Sequence, residues 1–159
     1  MRVNMSAVCW GKAMSIKHLI MGFVAGALAV LVFHQGMILV LHLLGSIPNF
    51  PWSLRAVGPY SVPALVNSMF WGGLWGIAYA AIGSRIPVSP DIARGAIFGL
   101  LGPWLLGNGI LVPLFKGGTF LWGLNPQNMW RGALIGIAFG IGVAVFMRLL
   151  TLLPVSRTA

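Results

Sequence analysis

The chain has 159 residues, 58% of them hydrophobic and only 7% charged, with a mean hydropathy of +0.94. A soluble domain carries about 25% charged residues, so this composition excludes that class and indicates an integral membrane protein. One acid, Asp91, faces ten Lys and Arg, for a net charge of +9. The basic residues are dispersed at the ends of apolar runs, where they suit anionic headgroups, so the expected partner is the lipid bilayer and not nucleic acid. A single cysteine, Cys9, excludes an internal disulfide framework and a cysteine-based metal cluster.

Residues 1–18, with Arg2, Lys12, Lys17 and His18, read as a basic tail. The tail is similar to a signal-peptide n-region, but the apolar run after it is too long for an h-region and contains His and Gln, so it is read as uncleaved. Met5 and Met14 are alternative starts. The first predicted span is Leu19 to Leu44, 26 residues. As a helix it reaches roughly 39 Å, beyond the ~30 Å of bilayer hydrocarbon. Gly45 to Ser61 places Pro48, Pro51 and Pro59 among Phe50, Trp52 and Tyr60, which predicts an interfacial loop. The second span, Val62 to Ile82, carries Pro63 in its first turn and ends at Gly83.

Ser89-Pro90-Asp91 reads as a helix start: Ser89 as N-cap, Pro90 in the first helical position, and Asp91 favourable to the helix dipole. The third span, Gly95 to Phe115, contains Pro103 and Pro113 with Gly102, Gly107 and Gly109, and is expected to bend or unwind locally. Lys116 to Arg131 is the second interfacial loop, with Trp122, Pro126 and Trp130. The fourth span runs from Gly132 to about Leu153, with Arg148 able to snorkel to the near interface.

The expected fold is all-α, a four-helix membrane bundle. It divides into a cytoplasmic tail (1–18), a first membrane hairpin (19–83), a cytoplasmic link (84–94), a second hairpin (95–153) and a tail (154–159). Four spans put both termini on one side, with Arg2, Lys12, Lys17, Arg85, Arg94, Arg148 and Arg157 against Arg55, Lys116 and Arg131 on the other. Seven against three places the termini in the cytoplasm by the positive-inside rule.

Offset by 73 residues, Gly22, Gly26, Leu28, Gly36, Leu41 and Gly45 fall on Gly95, Gly99, Leu101, Gly109, Leu114 and Gly118, and Gln35 falls on Asn108. Offset by 60, Met69, Gly72, Leu74, Gly76, Ile77 and Ala78 fall on Met129, Gly132, Leu134, Gly136, Ile137 and Ala138. These registers predict a hairpin used twice, a parallel repeat about an axis along the membrane normal, although compositional likeness among Gly-, Ala- and Leu-rich spans is the competing explanation. The pairs Gly22/Gly26, Gly72/Gly76, Gly95/Gly99, Gly132/Gly136 and Gly136/Gly140 permit close helix approach. Some of them are available for a homo-oligomer or for a membrane-complex partner.

The polar candidates are His34, Gln35, Asn67 and Asn108. Either they line a small cavity and bind a solute, metal or haem, or they hydrogen-bond across helices and set their register. In the second case Gln35 and His34 would meet Asn67, Ser68 or Asn108. His34 and His42 lie ~12 Å apart along the helix axis and cannot share an ion. Under the 73-residue offset His34 meets Gly107, so it has no counterpart. The tryptophans beyond the tail read as interface anchors and space fillers more readily than as a substrate path.

No Asp or Glu lies in a span, and there is no Ser/His/acid set, phosphate-binding glycine loop or zinc cluster. No enzymatic activity, resident cofactor or metal is therefore expected. Phe33-His34-Gln35-Gly36 and Phe70-Trp71-Gly72-Gly73-Leu74-Trp75-Gly76, with the Pro-rich loop between them, resemble small bacterial four-span inner-membrane proteins without an assigned activity. The resemblance implies class and localisation only. The expectation is a non-enzymatic subunit or scaffold. The alternatives are a small-solute channel or transporter constricted around His34, and a haem- or quinone-binding accessory protein.

Overall fold

Long apolar runs become helices because a helix satisfies its main-chain groups within the segment. The computed structural model describes residues 15–152 and contains four such helices: α1 Ile16–Leu43, α2 Ala64–Arg85, α3 Asp91–Lys116 and α4 Pro126–Leu152. Each is long and apolar enough to cross a membrane, which points to a multi-pass membrane protein. Most of the expected N-terminal tail, with Arg2, Cys9 and Lys12, and the tail 154–159 lie outside the described residues.

Three helix starts differ from expectation. α2 begins at Ala64 because Val62 and Pro63 are taken by a short antiparallel pair, β1 Ala56–Val57 with β2 Val62–Pro63, in register Ala56 to Pro63. Its first N–H groups are then met by the loop, Ala64 donating to the Arg55 carbonyl at 2.9 Å and Leu65 to that of Ser53 at 3.0 Å. α3 begins at Asp91 with Pro90, not Ser89, in the cap position and no side-chain cap. Pro90 is extended there, which sets Ser89 outside the helix, while Asp91 accepts from Arg94 at 2.7 Å. α4 begins six residues before Gly132, at Pro126. Asn125 is its cap, with Oδ1 accepting from the Gln127 N–H at 2.9 Å and Pro126 preset for the first turn.

Within each hairpin the helices approach to main-chain contact. Gly22 faces the carbonyl of Gly76, and Gly26 that of Gly72, so α1 and α2 run antiparallel. Gly95 faces the carbonyl of Gly140, and Gly99 that of Gly136, in the same sense. α1 also meets α4, where Phe33 lies over Gly142 and packs edge-on to Phe146 at 5.9 Å. Gly132 and Gly136 lie under Trp104. All five small-residue pairs are thus used inside the chain, and none is left as an outer packing surface.

α2 and α3 are bridged by rings: Trp75 and Tyr79 reach Phe98 at 6.2 and 5.1 Å, and Trp75 also covers Gly102 and Gly107. The core unites Ala25, Ala29 and Val30 of α1 with Tyr79, Phe98, Phe139 and Val143. Large apolar residues such as Val32, Phe70, Leu101 and Leu149 remain exposed around the outside. Ser15 and Leu152 share one end of the bundle with the α2–α3 link, here the proximal end; the two long loops occupy the distal end.

Candidate functional site

Neither α1 nor α3 is a regular α-helix throughout. α1 contains a π turn, Val30–His34, and α3 a π segment, Leu100–Leu111, around Pro103. The local unwinding expected of the third span therefore takes this form. A π turn accommodates an extra residue and leaves main-chain carbonyls poorly paired, so other donors must reach them.

In α1 the donor comes from the loop. The Trp52 indole Nε1 donates to the Leu31 carbonyl at 2.9 Å, and the Trp52 main-chain N–H donates to Gln35 Oε1 at 2.9 Å. Trp52 adopts φ +53°, a left-handed conformation unusual for a bulky residue, and this turns the loop back onto the helix. Gln35 is only 6% exposed, so its amide would be costly to bury without that bond. In α3 the donor is internal: Asn108 Nδ2 donates to the Pro103 carbonyl at 2.9 Å.

His34 closes the π turn, with its Nδ1 buried and without a hydrogen-bond partner among the described residues. Asn67 is half-buried on α2, and its amide makes no hydrogen bond among the described residues. The four sequence candidates are therefore not joined into one hydrogen-bonded set. The expected bonds from Gln35 to Asn67, Ser68 or Asn108 do not form. Trp52 occupies Gln35, Asn108 turns to its own helix, and Ser68 Oγ donates to the Ala64 carbonyl at 2.9 Å. His42 sits at the end of α1, its Nδ1 3.2 Å from the Ile47 carbonyl and its ring against Phe50. Among the described residues no three His, Cys, Asp or Glu gather as a metal site.

No family model, no curated protein and no solved structure matches this chain.

The second loop makes a comparable return. Leu121 and Trp122 lie over Gly109, and Trp122, also at φ +53°, stacks on Trp104 with centroids 5.0 Å apart. Buried nearby, Trp104 Nε1 and Arg131 Nε lack partners among the described residues. From sequence Trp52 and Trp122 read only as generic anchors, because the loop returns that employ them depend on left-handed turns with no local signal. Chemically, His34 can exchange one hydrogen bond with a small polar molecule. No hydroxyl or carboxylate is hydrogen-bonded to its Nδ1 among the described residues.

Proposed function

We propose that the protein is a non-enzymatic subunit or scaffold of the bacterial inner membrane, with both termini cytoplasmic. The observation that carries this reading is the use made of two amide side chains within the spans, one buried (Gln35) and one exposed (Asn108). Gln35 and Asn108 both bond main-chain groups around helix irregularities, which supports an architectural role. The exposed apolar residues along all four helices supply a surface for lipid and for a partner. The orientation rests on Lys17, Arg85, Arg94 and Arg148 at the proximal end, with Arg2, Lys12 and Arg157 adjoining in sequence, against Arg55, Lys116 and Arg131. Purification in mild detergent followed by native mass measurement tests the function: a stoichiometric partner or a defined homo-oligomer is expected, and a bare monomer under all conditions argues against it.

The bundle is also read as a tandem duplication of a two-helix hairpin. An offset of 73 places the π turn Val30–His34 on residues 103–107, within the π segment of α3, and Gly22 and Gly26 on Gly95 and Gly99, which make matching contacts. For the second helix of each hairpin, the contacts favour an offset of 64, pairing Gly72, Gly76 and Ala80 with Gly136, Gly140 and Ala144. That is about one helical turn from the offset of 60 that maximises identities.

A channel or transporter for a small solute is the second reading, favoured by the buried Nδ1 of His34, which has no hydrogen-bond partner among the described residues. Flux into proteoliposomes that is abolished by His34→Ala supports it, and equal flux in protein-free vesicles excludes it.

A further inference from the structure

At the proximal end the four helices part around a cavity of about 240 Å³. It falls below the ~300 Å³ at which sites for drug-sized molecules begin, and suits a compact group. Its polar lining comes from every helix: His18 of α1, Tyr79 and Ser84 of α2, Arg94 of α3, and Arg148 and Thr151 of α4. Ala80, Ala144 and Met147, all buried, supply its apolar floor, while Ser84, Arg148 and Thr151 stand exposed at its open mouth.

The charges are arranged for an anion. Arg94 is fixed by two bonds, Nε to the Ile86 carbonyl at 3.3 Å and Nη1 to Asp91 at 2.7 Å. A guanidinium has five N–H donors, so most of this one remains available in a preset plane. Arg148 stands exposed on α4 at the cavity mouth, with no side-chain partner among the described residues. Asp91 also lines the cavity and opposes an anion, but its charge is engaged by Arg94, and the two arginines outnumber it. Tyr79, packed on Phe98 and only 7% exposed, adds a hydroxyl with no hydrogen bond to the described residues.

We propose that this cavity binds a phosphate group, carried either by a lipid headgroup or by a free phosphate. Donors lining one cavity from four helices suit a tetrahedral oxyanion with several acceptors better than a planar carboxylate. The site is at the opposite end from the Trp52 and Trp122 loops and does not depend on the role given to His34.

The test uses the full chain, delipidated in detergent. Inorganic phosphate and short-chain phosphatidylglycerol are each titrated while the unfolding midpoint is followed. Saturable stabilisation is expected from at least one, weakened about tenfold by Arg148→Gln, the loss of a charge-assisted hydrogen bond. Arg55→Gln, at the distal end, leaves it unchanged. Stabilisation by inorganic phosphate identifies a free phosphate as sufficient. Stabilisation by the lipid alone, with one lipid retained in native mass spectra and lost in Arg148→Gln, identifies a headgroup. Should Arg148→Gln not fold, Tyr79→Phe, which preserves the ring packing, reads the same site through a weaker but measurable loss. The proposal is overturned if neither probe binds saturably, or if the folded cavity variants bind as tightly as the unaltered chain.

Discussion

At the scale of single residues, glycine identity is consequential where a helix meets another main chain and of little weight where it does not. A Cβ on Gly26 or Gly99 would run into the carbonyl of Gly72 or Gly136, and a backbone oxygen has no rotamer by which to withdraw. Gly36, on the same helix as Gly26, has open space at that point. Gly26→Ala should therefore lower stability by about 1–3 kcal/mol, as overpacking does, whereas Gly36→Ala should be neutral or slightly stabilising, because alanine is the better helix former. Unfolding midpoints of the two variants in one detergent compare them directly. Trp52 illustrates a second kind of residue effect. Trp52→Phe keeps an aromatic ring but removes the donor to the Leu31 carbonyl, and a cost of about 1 kcal/mol is expected. Gln35→Leu removes the acceptor of the Trp52 N–H, so both variants should raise amide exchange in the Trp52 loop, and a loop that exchanges as before would show that these bonds do not hold it.

At the scale of elements, the helix starts separate what residue signals can say from what they cannot. Asn125-Pro126 is a legible start, an N-cap followed by the residue preset for the first turn, yet hydropathy draws the eye to Gly132 because the first turns of α4 carry Gln127, Asn128 and Arg131. Asn125→Ala should cost about 1 kcal/mol and fray those turns, measurable as faster exchange of the Gln127 to Met129 amides. Ser89-Pro90 reads equally well as a start, but the extended Pro90 moves the boundary by one residue and leaves Ser89 without a capping role. Pro103 predicts an irregularity in α3. The π turn of α1 has no proline to announce it, since it lies in the ordinary apolar run Val30-Leu31-Val32-Phe33-His34. The side-chain donor to its Leu31 carbonyl comes from Trp52, which is distant in sequence.

At the scale of the molecule, two glycine-closed hairpins join through α1 against α4, with aromatic rings spanning α2 and α3. Both ends of the described chain therefore lie together, and single-cysteine labelling can test the orientation. In a chain with Cys9 replaced, Ser84→Cys should react with an impermeant thiol reagent in inside-out vesicles, and Gly117→Cys in intact cells. The reverse pattern would place the proximal end outside. Gly117 suits the probe because a side chain there meets no neighbour, although its φ of +73° adds some backbone strain.

Residue-by-residue character alone determined the class and the number of spans. Hydropathy and charge accumulate along the chain, so neither needs a tertiary contact to be read. Which groups meet was decided only in three dimensions. Glycines spaced by four recur at Gly132, Gly136 and Gly140, so sliding a helix by one turn preserves the pattern. Packing selects Gly136 and Gly140 for α3 and leaves Gly132 to Trp104. The partner of Gln35 was likewise hidden, because it depends on a left-handed residue turning the loop back onto α1. The proximal cavity draws its lining from four separate helices, and no local spacing brings His18, Tyr79, Arg94 and Arg148 together.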